Sequence, residues 1–169
     1  MDQSLENKPN LKNKIINFYN INKKKIYFLI AVSIIIFISV LIYKNNLEKK
    51  NKLIAENYIK AGLYLASDDK EKSTKIYEKI ILSENTFYSI LSLNTILEKE
   101  LITDQKKILN FFDLLIKDVK SQNQIDLLKF KKALYLLKVK KNKEADDILK
   151  SLNNENSKYS VLAQEVMGK

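Results

Sequence analysis

The chain contains no cysteine and no histidine. Disulfides, thiol nucleophiles and imidazole general bases are excluded with them, as is nearly all zinc, haem and iron–sulfur ligation. Neither a metal nor a cofactor is expected. Arginine is missing too, so every positive side chain is lysine. Bidentate guanidinium contacts to phosphate or guanine are impossible without it, and the formal charge of +10 therefore does not point to nucleic acid. Abundant Ile, Lys and Asn read as the codon bias of an AT-rich bacterial genome, which makes that charge partly compositional. Turn formers are also scarce: Pro9 is the only proline, and Gly62 and Gly168 are the only glycines. Sheet proteins need turn residues every ~8–12 residues. The expected class is all-α, with helices joined by short polar loops.

What is present begins with one long apolar run. Residues 26–43 read IYFLIAVSIIIFISVLIY, 18 residues without a charge. A helix of that length spans roughly 27 Å, close to a hydrocarbon core of about 30 Å. Tyr27 and Tyr43 stand near its ends, where amphipathic rings rest at headgroup level. Lys23, Lys24 and Lys25 stop the run on one side and Lys44 on the other. A cleaved signal peptide would have a shorter apolar region and small residues at a cleavage site. Here the run ends in bulky Leu41, Ile42 and Tyr43, so it reads as a retained anchor. The expected organisation is a basic cytoplasmic tail over 1–25, a transmembrane anchor over 26–43 and a helical domain over 44–169. Lys12, Lys14, Lys23, Lys24 and Lys25 precede the run, against Lys44, Lys49, Lys50 and Lys52 after it. That slight excess favours a cytoplasmic N-terminus and an exported C-terminal domain.

Beyond the run the apolar residues recur at helical spacing. Leu53, Ile54, Tyr58, Ala61 and Leu65 form a first stripe, and Ser67-Asp68-Asp69 breaks it and supplies a helix cap. Asn85-Thr86, Thr103-Asp104 and Asn156-Ser157 read as further helix starts. Aligning Asp69-Lys70-Glu71-Lys72-Ser73 with Asp104-Gln105-Lys106-Lys107-Ile108 and Lys141-Asn142-Lys143-Glu144-Ala145 gives steps of 35 and 37 residues. A tetratricopeptide repeat has about 34. In that register Tyr77, Phe112 and Leu149 correspond, as do Ile80, Leu115 and Leu152, and as do Ala61, Ile96 and Ala133. Small residues at 61, 73, 133 and 145 suit close helix crossings, whereas the middle unit has isoleucine at both 96 and 108. An irregular helical bundle would show the same stripes without the period. The period favours a tetratricopeptide-like right-handed solenoid of about three helix pairs with a C-terminal capping helix.

The segments Asn57-Tyr58-Ile59-Lys60-Ala61-Gly62 and Lys70 to Ile80 (KEKSTKIYEKI), behind a basic tail and one anchor helix, resemble the ancillary subunit of the bacterial Sec translocon. Its tetratricopeptide-like domain is shared with cell-division coordinator proteins. Tyr159-Ser160-Val161-Leu162-Ala163-Gln164-Glu165 is similar to the helix starts of that family. The resemblance implies a bacterial inner-membrane protein whose periplasmic domain associates with the translocon and with periplasmic chaperones.

No catalytic constellation stands out, and enzymatic function is not expected. Ser73 lies between Lys72 and Lys75, but in so lysine-rich a chain such pairs arise by chance. The acidic pairs Asp68-Asp69 and Asp146-Asp147 read as solvated charges opposing helix dipoles. In a stack of helix pairs the first helices line a concave surface, which would present Tyr58, Leu65, Leu93, Leu97, Phe130, Leu134 and Leu137 to a partner segment. The same side chains suit a packed core equally. The other class open at this point is a structural stalk or scaffold of another membrane complex, but the breaks at 67–69, 84–86, 103–104, 121–123 and 153–157 do not suit one continuous helix.

Overall fold

A computed structural model describes residues 11–154 and 157–168. These residues form seven helices and no strand: α1 (Leu11–Ala66), α2 (Lys70–Ile81), α3 (Thr86–Glu98), α4 (Gln105–Asp118), α5 (Gln122–Lys138), α6 (Asn142–Asn154) and α7 (Ser160–Val166). The chain divides between Lys49 and Lys50 into two units. Within the first, α1 holds one stretch long and apolar enough to cross a membrane by length and composition, and none of that stretch is buried. Of the residues expected as a tail over 1–25, those from Leu11 onward are helical, since α1 continues through them without a break. No proline or glycine lies between Asn10 and Ala61, so nothing in the backbone interrupts the helix. Residues 1–10 lie outside the described residues.

Local capping chemistry sets the boundaries in the second unit. Asp69 accepts from the Lys72 N–H at 3.1 Å, Asn85 from the Tyr88 N–H at 3.1 Å, and Asp104 from the Lys106 and Lys107 N–H groups at 2.9 and 3.2 Å. Each satisfies donors that a helix start leaves without a partner. The expected cap at Asn156-Ser157 is corrected. Asn156 lies outside the described residues, and α7 begins at Ser160. The Ser157 hydroxyl instead donates to Asp126 at 2.5 Å and accepts from the Tyr159 N–H at 3.2 Å. Asp126 is only 4% exposed, and a buried carboxylate without such partners would be costly.

With almost no glycine available, other residues take the left-handed turn positions. Asp68, Glu84, Glu100 and Lys140 have φ of 58°, 64°, 49° and 62° after α1, α2, α3 and α5. Behind them the N–H groups of Asp69, Leu101 and Lys141 reach back to the carbonyls of Tyr64, Ile96 and Leu136 at 2.9–3.0 Å. Those bonds close the same six-residue C-terminal loop at the ends of α1, α3 and α5.

Within this unit α2 packs on α3, α3 on α4, α4 on α5, α5 on α6 and α6 on α7. The apolar and small positions aligned by the repeat are buried: Ala61, Ile96 and Ala133 are at 0% exposure, as are Ser73 and Ala145, and Ile108 is at 2%. Tyr77, Phe112 and Leu149 are buried too, with Ile80, Leu115 and Leu152. The middle unit keeps both isoleucines buried, and α3 also buries Ser89 and Ser92, two turns and one turn before Ile96.

The buried serines differ in their bonding. Ser89 donates to the carbonyls of Ile80 and Ile81 at 2.8 and 3.2 Å, filling acceptors at the end of α2. The hydroxyls of Ser73 and Ser92 have no partner among the described residues. A buried hydroxyl without a bond costs stability, whereas removing one that satisfies its acceptors leaves those acceptors bare. Ser73→Ala should therefore raise the melting temperature of the purified chain and Ser89→Ala should lower it, each by about 1 kcal/mol of stability.

The Asp69 cap also carries a pH signature. The Lys72 ammonium, at 2.7 Å, and then the Lys72 N–H hold this carboxyl below its usual range. A depressed folded value means that the stabilisation is complete above the unfolded carboxylate value of about 3.9 and is lost as pH falls through the folded value. Asp69→Asn keeps an acceptor for the helix start but removes the titration, so its stability should fall less steeply below about pH 4 than that of the parent chain. Circular dichroism melts across that range measure the difference.

Candidate functional site

Polar bridges between residues about one repeat apart link α1, α3 with its flanking turns, and α5. Lys50 meets Glu84 at 3.4 Å, and Asn85 donates to Asn51 at 2.8 Å. The Tyr58 hydroxyl pairs with Thr95 at 3.3 Å. Further along, Lys131 donates to Asn94 at 2.8 Å and Lys138 to Glu100 at 2.6 Å. The separations run from 34 to 38 residues. Exposed pairs of this kind add little stability, so their value is in showing which helix edges adjoin.

Between α3 and α5 the bridges frame an open groove. It encloses about 260 Å³ and is lined by Asn94, Leu97, Glu98, Lys131, Leu134, Tyr135 and Lys138. A second hollow of about 200 Å³ shares Leu97, Tyr135 and Lys138 with it. The floor is apolar, and lysine ammonium groups stand at the rim. Burial pushes the Tyr135 hydroxyl above its usual pKa, with the nearby Lys138 charge opposing that shift. Small-molecule sites typically occupy ~300–1,000 Å³. No group of three or more acidic side chains placed to hold a metal is found among the described residues.

The seven positions expected on a concave surface do not share one environment. Leu97 and Leu134 come together in the groove, and Leu134 is exposed. Leu65 lines a separate hollow with Gly62, Ala66, Lys70 and Lys99. Tyr58 is half-buried among aromatic rings, 5.5 Å from Tyr77 and 5.6 Å from Tyr88. Phe130 stacks on Tyr159 at 5.8 Å, and with Leu137 it packs against the buried cluster of Ala133, Leu149, Leu152 and Ala163. Leu93, at 1% exposure, is core and has no surface to offer. It lies one helical turn from Leu97, close enough in angle for the stripe alone not to separate them. Asn94, Lys131, Tyr135 and Lys138 were missed in the sequence. The signal for two of these pairs was there: Asn94 and Lys131 on α3 and α5, like Glu100 in the turn after α3 and Lys138, stand one repeat interval apart.

No family model matches the chain, and neither a curated protein nor a solved structure matches it.

The difference between core and groove has a measurable consequence. Leu93→Ala should cost about 2–5 kcal/mol, the range for a buried leucine. Leu134→Ala should stay within about 0.5 kcal/mol of the parent, as exposed substitutions do. Chemical denaturation of the two variants separates them. Equal losses would place Leu134 in the core and remove the groove.

Proposed function

We propose that the chain is a non-enzymatic, membrane-anchored protein-interaction module. Its second unit is a tetratricopeptide-like right-handed solenoid of about three helix pairs, α1–α2, α3–α4 and α5–α6, with α7 as the cap. The observation that carries this reading is the groove between two first helices joined one repeat apart, with Leu97 and Leu134 on its floor. Packing of consecutive helices from α2 to α7 and the buried small residues Ala61, Ser73, Ala133 and Ala145 support the repeat. The apolar and wholly exposed stretch of α1 supports a membrane anchor.

The resemblance of residues 57–62 and 70–80 to the ancillary Sec translocon subunit supports a more specific role. In that role the chain sits in the bacterial inner membrane with its N-terminus cytoplasmic and its domain periplasmic. It links the translocon to exported clients or periplasmic chaperones, whose apolar segments enter the groove. A scaffold or stalk is the second reading, favoured by the unbroken length of α1.

A photo-crosslinking side chain at Leu134 of the full chain in native bacterial membranes tests the proposal. Translocon subunits or periplasmic chaperones should be captured there, and Leu97→Glu should remove the capture while leaving the helical signal unchanged. Capture that persists in Leu97→Glu would place the partner elsewhere. A reporter active only outside the cytoplasm, fused after Lys169, should be active, and activity of a cytoplasmic reporter there would overturn the orientation.

A further inference from the structure

We propose that the start of α1, from Leu11 to Asn22, lies on an anionic lipid surface as an amphipathic arm of the membrane anchor. The proposal rests on the membrane-anchored reading above and concerns the first unit alone. At helical spacing Leu11, Ile15, Phe18 and Tyr19 share one face. Leu11, Ile15 and Phe18 are 72%, 68% and 65% exposed. Asn17, Asn20 and Lys24 occupy the opposite face, and Lys14, Lys23 and Lys25 stand at the borders between the two.

Charge and continuity name the occupant. No Asp or Glu lies between Glu6 and Glu48, whereas Lys14, Lys23, Lys24 and Lys25 fall within or beside the arm. Border lysines reach their ammonium groups to lipid phosphates while the apolar face between them sinks toward the acyl chains. The arm and the apolar run belong to one helix, so the bilayer that takes the run is the non-aqueous phase nearest the arm. A second copy laid on the same face would set the border lysines against their own counterparts, like charge on like charge.

A straight α1 does not bring this face to lipid. Leu11 precedes Lys25 by 14 positions. That separation is roughly 21 Å along a helix axis, whereas the headgroup region beyond the hydrocarbon is only about 5–7 Å deep. The arm therefore reaches the surface by a turn of the helix between Asn20 and Lys23. The Asn22 side chain donates to the Phe18 carbonyl at 3.0 Å, the same acceptor that its backbone N–H uses in an α-helix. Bonding of a side chain four residues back weakens a helix locally, and it leaves that carbonyl a donor when the backbone bond opens. The turn gives up the contact between the Tyr19 and Tyr27 hydroxyls, 2.6 Å apart, and frees both for headgroup partners.

The chain lacks tryptophan, so a single introduced tryptophan reports its own surroundings. The full chain carrying Ile15→Trp is reconstituted in phosphatidylcholine–phosphatidylglycerol vesicles, with or without lipids brominated near the top of the acyl chain. The expected result is blue-shifted emission quenched several-fold more strongly by the brominated lipid than that of Asn20→Trp, on the opposite face. Leu11→Trp should behave like Ile15→Trp, and replacing phosphatidylglycerol with phosphatidylcholine should weaken both signals. An Ile35→Trp chain with deeply brominated lipid reports the anchor separately. Quenching at Ile35 without quenching at Ile15 or Leu11 would overturn the arm and leave the anchor standing, because α1 then runs straight into water. No quenching at any of the three would overturn both. Equal quenching at Asn20 and Ile15 would overturn the assigned face, and quenching indifferent to phosphatidylglycerol would overturn the anionic surface. Blue-shifted but unquenched emission at Ile15 would also overturn the arm, by showing that protein, a second copy included, covers that face.

Discussion

Two helices approach to about 8–10 Å only where the side chains between their axes are small or interdigitate closely. In the second unit that constraint falls on a handful of positions. Ala61 and Ser73, and again Ala133 and Ala145, are wholly buried. Around them Tyr77, Phe112 and Leu149 fill the space that small residues leave open. The middle unit buries Ile96 and Ile108 at the corresponding positions, and α3 also buries Ser89 and Ser92. What recurs is close packing with few voids, met by different residues in different units.

Serine at such a site serves by size, and its hydroxyl is a separate matter. Ser89 turns its polar group to use by donating to the end of α2, while Ser73 and Ser92 bury hydroxyls that bond to nothing among the described residues. Short turns follow from the same economy of residue types. Without glycine, Asp68, Glu100 and Lys140 adopt left-handed conformations that most side chains avoid, because a six-residue loop closes behind each of them.

The polar bridges between first helices and the groove they frame are two sides of one arrangement. Side-by-side edges of α3 and α5 bring Lys131 to Asn94 and Lys138 to Glu100, and leave Leu97 and Leu134 between them facing outward. The rim carries charges of both signs, Glu98 beside Lys131 and Lys138, and the two lysines are paired with Asn94 and Glu100. The apolar run of α1 is a separate exposed feature, long and apolar enough to cross a membrane by length and composition.

Much of the secondary structure was legible in the sequence because it depends on local chemistry. Asp69, Asn85 and Asp104 cap the helices they precede, since a short acceptor one position before a helix start reaches the free N–H groups without help from distant residues. The apolar run was equally legible, being a property of consecutive residues, and so were the buried positions that share the repeat interval. The cap at residues 156–157 was not, because Ser157 answers a buried carboxylate 31 residues away. The candidate site was legible only in part. Leu93 and Leu97 lie on the same stripe, yet one is core and the other lines the groove. Helical periodicity assigns both to the inner face. How far each neighbouring helix covers that face depends on where the helices cross, and only the tertiary structure decides it.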